Sequence, residues 1–452
     1  MSFDYELPDQ WHWSTLNDAK AEGRSIVSGP FGSNIGKRFF VESGVPVIRG
    51  NNLSLGMGRF KDDGFVYLTD EKAAEFKNCE AHPGDLLFTA AGTIGQVGII
   101  PPNGKYPKYI ISNKQLRARL DSQKVDPLFA YYWFASPDMV TAIQNRNTGS
   151  TIPLINLSVI KSLRIPVPPL HEQEQIVAHL SLLDDRITLL RETNATLEAI
   201  AQALFKSWFV DFDPVRARME GRAPEGMDEA TAALFPDGFE ESALGSVPRG
   251  WRVGTLADLS DLNPESWTAK NHPDRVSYID LANAKDNEIA SVTDFEFDEA
   301  PSRARRVLRS GDTIVGTVRP GNRSFAFIHE PASNLTASTG FAVLRPSALE
   351  NTEFVYLAAT QADSIEHLAH VADGAAYPAV RPDVVSGLQS VIADGLILQA
   401  FHAAGAPLLA KVSENQKQAQ TLATLRDTLL PRLISGQLRL PEAEALLEEA
   451  CA

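Results

Sequence analysis

Arginine grips a guanine edge through two parallel donors. Asparagine and glutamine do the same for adenine, and lysine or arginine holds a phosphate. Residues of these types, with a serine and a tyrosine among them, gather in turn-rich stretches of the 452-residue chain. In the first half they are Lys37, Arg38, Arg49, Asn51, Asn52, Lys114, Gln115, Arg146, Asn147 and Ser150. In the second half they are Arg303, Arg305, Arg306, Arg319, Asn322, Arg323, Tyr377 and Arg381. Such groups suit the reading of nucleic acid. Taken singly, each is equally a surface or turn residue, and Asn51 and Asn52 are ordinary turn formers.

Bond-making chemistry is less well served. An adenine methyltransferase needs an Asn/Asp-Pro-Pro-aromatic motif and a glycine-rich cofactor loop. Asn263-Pro264-Glu265 and Asp213-Pro214-Val215 lack the second proline and the aromatic. Gly92-Thr-Ile-Gly95-Gln-Val-Gly98 is not G-x-G-x-x-G and reads as a strand turn. Ser33-Asn-Ile-Gly36-Lys37-Arg38 has the outline of a phosphate loop, but Phe31 stands where glycine is needed and Arg38 replaces the Ser/Thr. The nine histidines and two cysteines, Cys79 and Cys451, show no metal-ligand spacing. Asp211 and Asp213 read as a polar helix exit or a partner contact. No cofactor, no metal and no catalytic residue are expected.

Composition sets the frame. With 44% hydrophobic and 22% charged residues the chain reads as an ordinary globular protein. The absence of an 18-residue apolar run and of a basic, apolar leader leads us to expect no membrane span and no signal peptide. Two cysteines fit a reducing cytoplasm. The net charge of −15 argues against a binder that uses its whole surface for nucleic acid. The charge is uneven: 18 basic against 16 acidic residues in 1–165, but 6 against 15 in 166–246 and 13 against 19 in 247–390. The last of these still holds the cluster Arg303, Arg305, Arg306 and Arg309.

The elements that must position these groups come from an internal repeat. Trp11-His-Trp-Ser-Thr-Leu-Asn-Asp18 aligns with Trp251-Arg-Val-Gly-Thr-Leu-Ala-Asp258, and Gly84-Asp-Leu-Leu87 with Gly311-Asp-Thr-Ile314. Gly92-Thr93 aligns with Gly316-Thr317, and Gly149-Ser-Thr-Ile-Pro153 with Gly374-Ala-Ala-Tyr-Pro378. A collinear series with so long a period means a duplicated domain. Each copy opens with short apolar runs separated by turns, read as strands at 45–49, 98–101, 109–112, 324–328 and 340–344. A helix is read at 127–145 in the first copy and 353–368 in the second. Each copy ends in a long helix. Ile176, Leu180, Leu183, Ile187, Leu190, Asn194, Leu197, Ala201, Leu204 and Trp208 step by four and three, a heptad seam with one polar member. Phe401, Gly405, Leu408, Val412, Asn415, Ala419, Leu422, Arg426, Leu429 and Leu433 repeat it. The class is α+β.

Together these residues resemble the DNA-specificity subunit of type I restriction-modification systems. The resemblance is carried by Gly29-Pro-Phe-Gly-Ser33, Val45-Pro-Val-Ile-Arg49, Gly84-Asp-Leu-Leu-Phe88 and Ile165-Pro-Val-Pro-Pro-Leu-His-Glu-Gln-Glu-Gln-Ile176. Leu204-Phe-Lys-Ser-Trp-Phe-Val-Asp-Phe212 and Leu429-Leu-Pro-Arg-Leu-Ile-Ser-Gly-Gln-Leu438 complete it. It implies two tandem target recognition domains, 1–165 and 247–390, each reading half of a split, asymmetric site in double-stranded DNA. It also implies helices at 166–213 and 391–440 that pack as an antiparallel coiled coil with pseudo-two-fold symmetry. These would set the spacer and bind two methyltransferase subunits, which nuclease-translocase subunits join. An acidic linker, 214–246, and a tail, 441–452, remain. The segment beginning Val391-Ile-Ala-Asp-Gly-Leu lacks the Pro-Pro and Glu-Gln-Glu-Gln of the first copy, which puts its helix entry in doubt. The alternatives are a stand-alone methyltransferase or nuclease, and a coiled-coil scaffold or decoy.

The seam also fixes a register. If the helices pack antiparallel about a pseudo-dyad, residue i faces residue j when i + j is near 609. Asn194 then faces Asn415, Ile176 faces Leu433 and Leu180 faces Leu429. A buried Asn pair is a known register device. Asn194 and Asn415 are therefore expected to set the helix register and, through it, the spacing of the two heads.

Overall fold

The computed structural model describes residues 6–243, 245–439 and 442. The expected tail, with Cys451, lies outside them except for Glu442. The chain forms two compact units, 1–187 with 421–452, and 188–420.

The first unit holds two four-stranded sheets. One runs in the order Ile26–Ser28, Gln115–Ala118, Leu86–Thr89, Val97–Ile99, with all neighbours antiparallel. The other runs Val66–Leu68, Val45–Ile48, Tyr109–Ile111, Glu80–Ala81, with one parallel pair at its centre. The second unit repeats both. Its antiparallel sheet is Ser260–Leu262, Phe341–Pro346, Thr313–Gly316, Phe325–Phe327. Its mixed sheet is Thr293–Glu296, Arg275–Ile279, Leu335–Ser338, Ala304–Val307, again with a central parallel pair. A two-stranded ribbon leads into each long helix: His12–Thr15 with Arg164–Val167, and Arg252–Thr255 with Gln389–Ile392. Strand order, sense and sequence position all agree, so the repeat is structural.

The Gly-Asp motif shows why that part of the sequence repeats. Gly84 and Gly311 take φ of +85° and +86°, conformations that suit glycine. The next residues, Asp85 and Asp312, are buried, and each binds an arginine on the neighbouring strand's line. Arg119 meets Asp85 through two hydrogen bonds of 2.7 Å. Arg345 meets Asp312 at 2.8 and 2.9 Å. Each carboxylate also accepts a backbone N–H, from His82 and Arg309 respectively. Burial pushes the Asp312 carboxyl up, and Arg345 pulls it only part of the way back.

Three sequence expectations need correction. The helix read at 127–145 is two helices, Pro127–Phe134 and Pro137–Gln144, because Ser136 caps the second and a proline starts it. The helix read at 353–368 likewise breaks at Gln361, into Thr352–Thr360 and Ala362–Val371. The match of Gly92-Thr93 to Gly316-Thr317 is out of step by three residues. The ladders place Thr89 against Gln115 and Gly316 against Phe341, so Thr89 is the counterpart of Gly316.

The two long helices are Leu170–Phe209 and Gly395–Ile434, each of 40 residues. Their entries differ. Gln173 is buried at the first, where it accepts from the Asp126 N–H (2.8 Å) and donates to the Pro168 carbonyl (2.8 Å). At the second, Asp394 caps the Leu396 N–H (2.9 Å) and Leu398 is buried. The missing Pro-Pro and Glu-Gln-Glu-Gln therefore change how the helix starts and leave its length the same. The second helix is apolar and long enough to cross a membrane by length and composition. One face of it is buried, at Phe401 and Leu409 in one unit and Leu429 and Leu433 in the other.

Within the second unit the helix segments run antiparallel. Asn415 Nδ2 donates to Asn194 Oδ1 at 2.8 Å, and the Trp208 and Phe401 rings lie 5.5 Å apart. Both pairs have i + j of 609. Asn194 Nδ2 in turn donates to the Val412 carbonyl (3.0 Å), so neither buried amide is wasted. Within the first unit, Ile176, Leu180, Leu429 and Leu433 share one core, and Arg426 bonds the buried Asp184 at 2.7 Å. Replacing one amide leaves the other unsatisfied, whereas replacing both does not. Asn194→Leu is therefore expected to cost about 1–3 kcal/mol in denaturant unfolding, and Asn194→Leu with Asn415→Leu close to nothing. Equal losses for single and double variants would contradict the pairing.

Candidate DNA interface

In the first unit, the strand ends remote from Asp85 and Arg119 converge. Val45–Ile48 and Tyr109–Ile111, parallel neighbours, end together, and the Ser112 N–H donates to the Ile48 carbonyl (2.9 Å). Gly29 follows its strand and donates to the Gln115 carbonyl (3.0 Å). The 148–155 loop docks here too: the Gly92 N–H bonds the Pro153 carbonyl (2.9 Å) and the Ile155 N–H the Ala90 carbonyl (2.8 Å). Turns 49–52, 90–96, 112–114 and 148–155 therefore share one end of the fold. The second unit repeats the docking, with the Arg319 N–H on the Pro378 carbonyl (2.7 Å) and the Val380 N–H on the Thr317 carbonyl (2.9 Å).

At or near this end, Lys114, Asn51, Arg146, Asn147 and Ser150 are exposed, and Arg49 is half-buried. Lys37 and Arg38 are exposed on a short turn, where Arg38 reaches back to the Ser33 carbonyl (3.4 Å). Among the described residues, none of Lys37, Arg38, Arg49, Lys114 and Arg146 has a carboxylate partner. Two sequence candidates are withdrawn from the surface. Asn52 is fully buried and staples its own loop, donating to the Lys61 and Asp63 carbonyls (2.9 and 2.8 Å) and accepting from the Arg49 N–H (2.9 Å). Gln115 is fully buried beside Ser112, with which it hydrogen-bonds. Residue type chose both, and burial takes away the free amide edge that base reading needs.

In the second unit Arg303 ties to Tyr278 (2.9 Å) and to Asp280. Burial pushes the Asp280 carboxyl up, but the Ala282 N–H and Arg303 outweigh it and hold it low. Arg305 lies over the Phe297 ring (4.7 Å), and Arg306 donates to Ser266 (3.3 Å) with its ionisation weakened by burial. Arg323 pairs with Asp286, and Arg381 with Asp383 (3.1 Å). Asn322 is exposed. Arg319 lies 5.0 Å over the exposed Tyr377 ring and donates to the Ala376 carbonyl (2.8 Å). Among the described residues, Arg305, Arg306 and Arg319 are the sequence candidates of this copy's arginines without a carboxylate partner.

Sequence reasoning passed over Phe31, which is 84% exposed. The signal was a large aromatic between two glycines. It also passed over Ile152, the counterpart of Tyr377 in the Gly-x-x-x-Pro loops, at 58% exposure. Among the described residues no cluster of His, Cys, Asp and Glu is arranged to hold a metal.

This is a duplicated recognition fold whose unpaired cations sit largely on loops. Comparison with known proteins agrees. Residues 38–199 match the family model described as type I restriction modification DNA specificity domain. The type I restriction enzyme MjaIX specificity subunit of Methanocaldococcus jannaschii is 27% identical over 381 residues, 82% of either chain. The HindI specificity subunit of Haemophilus influenzae is 25% identical over 78% of this chain and 86% of its own. A crystal structure of the S subunit from M. genitalium aligns over 96% of this chain and 98% of its own, with 16% identity and a TM-score of 0.49. The chain is thus similar over most of its length to type I restriction enzyme specificity subunits, and residues 38–199 match their DNA specificity domain.

Phosphate contacts act alike on every sequence. Alanine at Lys37, Arg38, Lys114 or Arg146 is expected to weaken binding uniformly across duplexes. Removing one cation–phosphate pairing would lower the slope of log affinity against log salt by about 0.9. Titration of the assembled complex with DNA over a range of salt checks this. A changed sequence preference with an unchanged slope would assign such a residue to base reading instead.

Proposed function

We propose that this chain is the sequence-reading component of a type I restriction-modification complex in the cytoplasm. The observation that carries the reading is the repeated strand order, with the same loops gathered at the same end of each copy. Two such copies suit a bipartite site, and their divergence in sequence suits an asymmetric one. The chain performs no bond chemistry. It directs adenine N6 methylation, or restriction, by partner subunits: two methyltransferases held by the long helices, and nuclease-translocases that join them. The outer faces of the helices support this division, since Leu182 and Leu189 are exposed there, seven residues apart.

The test is to express the chain with its methyltransferase partner and map N6-methyladenine across the host genome. A split, asymmetric motif is expected, with a complex of one chain to two methyltransferase subunits in sedimentation. Methylation without a motif would leave a scaffold. Methyl transfer or cofactor binding by the isolated chain would make it an enzyme.

A further inference from the structure

Two arginines of the second copy occupy backbone that side chains avoid. Arg319 has φ +49° and Arg323 φ +58°, and they bracket the short turn Pro320–Asn322. The ladder and the docked loop give their counterparts in the first copy. Arg319 and Gly92 both donate to the proline of the Gly-x-x-x-Pro loop. Val97 and Phe325 open the next strand in the two copies, which sets Gly95 against Arg323. Gly92 and Gly95 take φ of +98° and +97°. The same connection thus turns through positive φ at both places, with glycines and two residues between them in one copy, and arginines and three residues between them in the other. Glycine would adopt it without strain. A left-handed arginine persists where its surroundings over-determine it, and such residues gather at functional sites.

At Arg323 the surroundings do over-determine it. Arg323 pairs with Asp286, and the Asp286 N–H donates back to the Arg323 carbonyl (2.9 Å). The next residue, Asn287, donates to Glu198 (2.6 Å) and accepts from the Phe327 N–H (2.8 Å), and its carbonyl accepts from Gln416 (2.7 Å). Both long helices therefore clamp the turn against which Arg323 rests. Arg319, by contrast, is held only on its face, by Tyr377, and at one nitrogen, by the Ala376 carbonyl. The rest of its donor edge is free, and among the described residues no carboxylate opposes it.

We infer that Arg319 is the specificity-determining side chain of the second copy. Seated on Tyr377, it presents its guanidinium edge to a guanine in the major groove, and Arg323 is the positioning residue that braces its loop. The first copy, with glycine at both places, reads its half-site from other loops. The inference rests on the reading of the chain as a DNA-specificity subunit.

The experiment is methylome mapping of the full chain co-expressed with its methyltransferase partner, as parent, Arg319→Gly and Arg319→Lys. Glycine suits the loop, so Arg319→Gly should assemble and melt as the parent does. One guanine in one half of the motif should become unspecified, its discrimination falling roughly ten- to a hundredfold, with the other half unchanged. Arg319→Lys keeps the charge without the paired donors and should relax the same position. A parent motif preserved in both variants overturns the inference and leaves the function standing. So does uniform loss of methylation by an assembled Arg319→Gly complex, or specificity retained by Arg319→Lys. A parent that methylates without any motif fails the underlying reading itself.

Discussion

A carboxylate taken out of water must be neutralised and hydrogen-bonded, or it destabilises the fold around it. Each recognition copy is arranged around one such group. Asp85 and Asp312 sit at the start of the strand that lies inside the antiparallel sheet, and each is neutralised by an arginine from the neighbouring strand. Satisfying that carboxylate requires a glycine turn before it, a backbone N–H aimed at it, and the partner strand in one register. A slip of one residue would turn the arginine to the opposite face of the sheet. The ion pair thus fixes the strands from one end.

The other end is left free to differ, and it does. Where the first copy has Gly92 and Gly95, the second has Arg319 and Arg323, also at positive φ but in a loop one residue longer. The first copy exposes Phe31, Lys114 and Arg146. The second exposes Tyr377 and pairs most of its arginines with nearby acids. Those pairs matter in a chain of net charge −15. They cancel local positive charge where it is not directed outward and leave a few cations to face a polyanion. On the proposed reading, attraction to DNA falls to those cations.

Sequence revealed most where its signal was periodic. The heptad steps and the repeat offset together place Asn194 opposite Asn415, because a pseudo-dyad through matching seam centres selects one antiparallel register. Arg426 was visible as the one charge in the second seam. Its partner Asp184 was hidden, since it lies one place off the seam. The Gly-Asp repeat marked Asp85 and Asp312 as special, but nothing local pointed to Arg119 or Arg345, more than thirty residues away. Asn52 and Gln115 were selected by side-chain chemistry, and their burial depends on tertiary packing that type alone does not report. The left-handed arginines were equally invisible. Arg319 differs from the paired arginines around it by its seat on Tyr377 and the Ala376 carbonyl in place of a carboxylate, which residue type does not report.

The identity of the two anchors has a consequence for how the chain reaches its native state. Asp85 and Asp312 carry the same charge and each takes an arginine, so by charge alone either carboxylate accepts either Arg119 or Arg345. At these points a collapsed chain has little electrostatic means of telling its own partner strand from the other copy's. Discrimination falls to the apolar residues that follow, Leu86-Leu87-Phe88 in one copy and Thr313-Ile314-Val315 in the other, whose volumes suit different neighbours. It also falls to time. On the ribosome, Asp85 and Arg119 emerge together well before Asp312 has been made, so the first anchor closes while its competitor does not yet exist. Refolding from denaturant removes that head start and exposes both anchors to exchange at once.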